Sequence, residues 1–292
     1  MLRAIQRIRG TLQPRAAARV DFTRPAGEPA LIPADSISWS VFKNPLALFI
    51  GGSAAVLLEL AEPRVRSGVW DHTSFRTNPL ERMERTGLAA LVTVYAAHST
   101  AEAMIRGVNA LHARVHGVTP RGDAYRADDP VLLDWVQATA SFGFLEAYAR
   151  FVRPLDRDER DRFYAEGAAA GRLYGALRAP RSSAELEAQF EAMRPHLEAS
   201  PIVFEFLEIM RRAEILPRVL RPLQHLLLRA SVEITPDWLR QRLGLGPEHG
   251  LRPWEVRLVR ALGRLADRAT LPGSPPVLAC QRLGLSPRSL RL

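Results

Sequence analysis

The chain has 292 residues, 47% of them hydrophobic and 24% charged, with a formal net charge of +9. That length supports one large domain or two small ones with a self-sufficient apolar core, and the single cysteine, Cys280, excludes an intramolecular disulfide and suits a reducing, cytoplasmic setting. The basic excess is not a nucleic-acid footprint, because Lys43 is the only lysine and the arginines are scattered rather than grouped with aromatics.

Met1 to Val20 carries five arginines with no apolar run after them, so it lacks the pattern of a secretory signal. Leu2, Ile5 and Ile8 are spaced for a short amphipathic turn on a membrane surface, although a frayed terminus is the simpler reading. Residues 1–34 form an irregular lead marked by Pro25, Pro29 and Pro33, and Asp35-Ser36 opens a short helix containing Ile37, Trp39 and Phe42. Asn44 and Pro45 supply the cap and first position of the next helix. Its core, Leu46 to Leu58, is uncharged and ends at Glu59; it falls short of the ~20 residues that span a bilayer and reads as buried. Val65 to Asn78 is polar and predicts a structured loop.

Pro79 to about Ala97 has apolar residues at helical spacing, and Ser99 to Glu102 is a capping box for a following helix that ends at Gly117. A turn-rich loop leads to Asp129-Pro130, which caps a helix running to about Val152, apolar almost all round and therefore central. Helical segments follow over Asp156–Ala176, Ser182–Glu198, Pro201–Leu216, Pro217–Ile234, Pro236–Leu243 and Pro253–Ala269, and residues 271–292 read as a Pro/Gly-rich tail. No useful period-2 alternation occurs. The expectation is an all-α, single-domain multi-helix bundle over residues 35–270 with a buried cofactor pocket.

The tight connection after Ala97 makes the two helices it joins antiparallel neighbours. At ~1.5 Å of rise per residue, Thr86 lies about 18 Å from the junction, Arg82 about 24 Å and His112 about 21 Å, so His112 stands level with the gap between the other two. His112 falls within the apolar arc of its helix, and Arg82, Thr86, Ala90, Thr93 and Ala97 form a strip on the partner. Two readings fit: a hydrogen-bonded core histidine beside a helix seat, or an imidazole aimed at a metal in an apolar pocket with an arginine for carboxylates, as haem requires.

The runs Val69 to Arg76, Pro79 to Thr86, Leu111 to Gly117, and Ala124 to Pro130 with Trp135 to Thr139 resemble, in order and spacing, the successive blocks of the rubber-oxygenase (latex-clearing protein) catalytic-domain family, which also covers the mycophenolic-acid pathway oxygenase MpaB. The resemblance spans roughly Ser36 to Val259. It implies a b-type haem whose iron takes His112 as proximal ligand, with Arg82 and Thr86 lining the pocket. Dioxygen would be the co-substrate and an apolar, unsaturated small molecule the substrate. Arg85 stands where the rubber oxygenase has a lysine able to cap the distal side of the iron. An arginine cannot surrender its proton to ligate, so the resemblance assigns it to the distal entrance. Gln137 stands where many relatives have histidine. For the acidic base implied by the family, Glu62 and Asp71 are the candidates.

Two other classes stay open: a haem- or apolar-ligand-binding protein without turnover, and a helical interaction protein with no cofactor. Zinc on the His112–His116 pair lacks the glutamate and third ligand of a protease motif. His72 suits a structural hydrogen bond or a pocket role, and Cys280 suits packing or exposure better than thiolate ligation of haem. Phosphate-binding glycine loops are missing.

Overall fold

Prolines and capping side chains decide where the helices begin. The computed structural model describes residues 20–72 and 74–290, so the proposed amphipathic turn of Leu2, Ile5 and Ile8 lies outside the described residues. Ser36 accepts the Trp39 amide to start α1, Ile37–Lys43. Asn44 accepts the Leu46 and Ala47 amides at 3.1 and 3.2 Å to start α2, Pro45–Glu59. Asp129 accepts the Val131 amide at the head of α6, Pro130–Phe151, and Asp156 with Glu159 forms a reciprocal box on α7, Arg157–Leu173. These starts agree with the sequence within a residue or two.

Four local expectations are corrected. The expected loop over residues 65–78 contains most of a helix, α3, Pro63–His72, because Pro63 opens it and the buried Glu62 carboxylate accepts the Val65 amide at 2.7 Å. After α4, Pro79–Tyr95, helix α5, His98–His112, begins without a side-chain cap; Ser99 gives its amide and hydroxyl to Glu28 at 2.6 and 3.0 Å, which pre-empts the box. That helix stops at His112 and not at Gly117. The chain instead forms β1, His116–Val118, paired antiparallel with β2, Ala124–Arg126, Gly117 opposite Tyr125. Lastly, the 271–292 stretch holds a packed helix, α13, Pro275–Arg282, that buries Val277, Ala279 and Cys280.

The remaining helices are α8, Ser183–Met193, α9, Pro201–Arg212, α10, Arg221–Ile234, α11, Asp237–Arg242, and α12, Pro253–Arg268. The architecture is all-α apart from the two short strands. Helices α2 and α6 form the central pair, with α10 and α12 packed across both. Helix α1 adjoins α2, α4, α6 and α7, while α7 and α8 lie against α6. The lead is tied in by the buried Arg282, whose guanidinium donates to the carbonyls of Phe22 and Glu28, both at 2.8 Å. Among the described residues no single helix is long and apolar enough to cross a membrane, and α2 is largely buried in the core.

The central pair touches backbone to backbone. A Cβ placed on Gly51 would stand 2.7 Å from the carbonyl oxygen of Gly143, and one on Gly143 would overlap the carbonyl oxygen of Gly51. Such contacts cannot be relieved by turning a side chain, so the two helices must separate. Gly143→Ala is expected to cost about 1–3 kcal/mol, read as a lower denaturant midpoint with unchanged far-ultraviolet helicity below the transition. An unchanged midpoint would mean that the crossing yields freely.

Candidate functional site

Helices α4 and α5 form a hairpin whose most buried residues lie towards its junction. The buried residues of α4 are Leu91, Val92, Val94 and Tyr95, all in its last turns, and those of α5 are Ala101 and Ile105, near its start. The close backbone neighbours of α4 are α1, α5 and α13 rather than the central pair. Towards its open end the apolar side chains Met83, Leu88, Ala90, Met104 and Val115 are only partly buried against the core. A Cβ added at Gly87 would meet nothing within 4 Å.

The open end carries the residues singled out in the sequence. One guanidinium nitrogen of Arg82 donates to Thr86 Oγ1 at 2.7 Å, and that hydroxyl donates to the Arg82 carbonyl at 3.0 Å. Further along the same strip Thr93 bonds Tyr174 at 2.9 Å, which closes that part of the groove, and Ala97 is engaged in a bridge with Ala30. Asn109 donates to the Leu173 carbonyl at 2.8 Å and holds α5 against the end of α7. His112 is the last residue of α5, half-buried, with its Nδ1 buried and without a hydrogen-bond partner among the described residues. Thr86 and Arg85 are exposed.

Electrostatics links these groups across helices. Burial lowers the pKa of His112, the Arg82 charge adds to that, and Asp128 opposes it, so the ring is held neutral at pH 7. Burial also lowers the pKa of Arg82, opposed by Glu59 and assisted by Arg85, without bringing a guanidinium near deprotonation. Glu59, the last residue of α2, has its carboxyl pushed up to about 7 by burial against a smaller pull from Arg82. All three side chains keep accessible surface, yet burial dominates each shift.

Glu59 was not among the acidic candidates of the sequence reading. Glu62 is 1% exposed, capping α3 and pairing with Arg64 at 2.8 Å, while Asp71 is exposed and acts on Arg76 and Tyr125. The signal for Glu59 was present: it is the one charged residue of α2. Gln137 donates to Ser141 at 3.1 Å and its side chain packs beside Gly171, so it fills the seam between α6 and α7. His116 lies on β1 and is exposed, hence it does not share a helix face with His112; among the described residues no group of three His, Cys, Asp or Glu stands ready for a metal. His72 bonds Tyr125 at 3.0 Å, joining α3 to β2. Cys280 is fully buried in α13. A separate pocket of about 390 Å³ lies between α6, α7 and α12 and includes none of these residues.

The family whose model matches the chain is described as ER-bound oxygenase mpaB/B'/Rubber oxygenase, catalytic domain, and the match covers residues 39–268. No curated protein and no solved structure matches the chain.

The Glu59 carboxyl makes stability depend on pH. Its folded pKa of about 7 stands above the ordinary value of 4.5, so between them the folded chain holds a proton that the unfolded chain has lost. The contribution is complete below pH 4.5 and lost as pH rises through about 7. Glu59→Gln in the cofactor-free protein should remove a pH-dependent loss of roughly 2–3 kcal/mol. Denaturant unfolding of parent and variant at both ends of this range checks it; parallel pH profiles would sink it.

Proposed function

The chain belongs to the mpaB and rubber oxygenase catalytic-domain family, and on that premise we propose that it is a haem-b-dependent oxygenase acting on an apolar, unsaturated small molecule. The observation that carries the cofactor is the half-buried His112 ring, its pKa lowered and its Nδ1 without a partner among the described residues, within the field of the Arg82 guanidinium. A neutral imidazole is the ligating form, and a porphyrin brings an iron needing an axial ligand and carboxylates needing a cation. The residues fit that group. When bound, haem b would supply the activation of dioxygen for oxidative attack on a carbon-carbon double bond.

This chain's own residues then have separable tasks. His112 would hold the iron through a ring nitrogen. Arg82, oriented by its bond to Thr86, would neutralise a carboxylate at the cofactor edge. Met83, Leu88 and Ala90 give the cleft apolar walls that favour a hydrocarbon substrate and exclude water. Glu59, protonated or ionised with nearly equal ease at neutral pH, holds or accepts a proton beside Arg82. A guanidinium is not an iron ligand, so Arg85, which is exposed, would serve at the entrance to the site. The same substitution favours the second reading, a haem or apolar-ligand carrier without turnover.

The visible spectrum tests the cofactor. Protein supplied with haem should show a Soret band that His112→Ala abolishes or shifts, and Arg82→Ala should weaken haem affinity by about tenfold, as loss of one charge-assisted hydrogen bond does. Carbonyl products from an unsaturated lipid under oxygen separate the oxygenase from the carrier. A protein that takes up no haem, or a His112→Ala variant with the parent spectrum, would overturn the proposal.

A further inference from the structure

Helix α12 turns Glu255, Val259 and Gly263 towards the core and leaves its opposite face uncovered. On that face Trp254 is 57% exposed, Leu258 41% and Leu265 65%, and at their spacing they form one stripe along the helix. Arg257, Arg264 and Arg268 run beside the stripe and are exposed. A helix with an aromatic and leucine ridge flanked by guanidiniums has the chemistry of an interfacial helix.

The 390 Å³ pocket lies on the arginine-bearing flank of the same helix. Its lining includes Arg150, Arg160, Arg260 and Arg264 but a single acid, Glu146, with Ala149, Val152 and Pro154 between them. Arg160 is paired with Glu146, and Arg150 leans towards Glu233 at 3.7 Å. Arg260 and Arg264 use only Nε, donating to the carbonyls of Arg150 and Val152 at 3.3 and 3.4 Å. Those bonds satisfy the carbonyl end of α6, where cations are favoured, but neither guanidinium pairs with an acid among the described residues. Two charges in a pocket of phosphate-accommodating size therefore stand uncompensated.

We propose that this face docks the protein on an anionic membrane. Lipid phosphates would enter the Arg260–Arg264 pocket, and Trp254, Leu258 and Leu265 would enter the headgroup boundary. The charge pattern selects this occupant: a second copy of the chain would bring one row of guanidiniums against another, whereas an anionic bilayer offers phosphate and apolar depth together. Because α12 is fixed to the core through Val259 and Gly263, only the ridge can enter. Attachment should be reversible and salt-sensitive. The inference does not depend on the haem reading.

Cosedimentation of the full chain with phosphatidylglycerol–phosphatidylcholine vesicles, against phosphatidylcholine vesicles alone, tests it. Binding is expected on the anionic vesicles only, weakening as salt is raised. Arg260→Gln with Arg264→Gln should lower the apparent affinity by roughly ten- to thirtyfold. Arg260→Lys with Arg264→Lys keeps the charge without the Nε bonds and should retain most of it, which separates charge from any loss of helix capping. Trp254→Ser with Leu265→Ser should also lower binding, and the emission shift on vesicles should vanish in Trp254→Phe. Equal binding to neutral vesicles, no binding, or a double Gln variant that binds like the parent would overturn docking. So would stabilisation by inorganic phosphate in a protein that ignores vesicles, which would mark a site for a free anion.

Discussion

The backbone contact of Gly51 against Gly143 is the constraint from which the rest is placed. Helix α2 is apolar along nearly its whole length and must lie inside, and the missing side chains let it meet α6 at backbone distance. The device recurs where α12 crosses the end of α6: a Cβ on Gly263 would stand 2.5 Å from the Phe151 carbonyl oxygen. Asn44 connects the two crossings, capping α2 with its oxygen while its nitrogen donates to the Gly263 carbonyl at 3.0 Å. With the middle of α2 committed to packing, its cap and its one charged residue lie at its ends. One end is structural, through Asn44, and the other is Glu59.

The Glu59 end acquires a role because the α4–α5 hairpin does not close down on the central pair. Burial by Tyr95, Ala101 and Ile105 is concentrated towards the junction, and the far ends of both helices are only partly covered. Arg82 stands between a carboxyl whose pKa is raised and an imidazole whose pKa is lowered. One cause, burial without full contact, shifts all three. A tightly packed hairpin would have paired or excluded these groups.

The sequence made the starts of α2 and α6 readable because their signals, Asn-Pro and Asp-Pro before apolar runs, are local. Helical rise and the short connection likewise put His112 level with Arg82 and Thr86, and the structure brings those residues to one end of one hairpin. Failures occurred where a distant residue competed. Glu28 takes the Ser99 amide and hydroxyl, and Tyr125 covers Gly117, where a Cβ would stand 2.6 Å from its hydroxyl. Helix α3 was missed because its buried face includes Arg66, which reads as solvent-facing until Glu198 is seen 2.5 Å away. Glu59 was passed over because its raised pKa comes from the fold, not from its neighbours in sequence.

Charge balance at the open end sharpens what the arginine at position 85 means. Arg82 and Arg85 contribute two positive charges, and the charge of Arg85 adds to burial in lowering the Arg82 pKa. Glu59 offsets one of them only when ionised, and burial holds its carboxyl near the midpoint at neutral pH. Once ionised, Glu59 draws on the Arg82 guanidinium, and while protonated it does not. A lysine at position 85 could relieve the excess by losing its proton, and an arginine cannot. The carboxyl at the end of α2, its pKa pushed up to about 7, is a group beside Arg82 that changes charge near neutral pH.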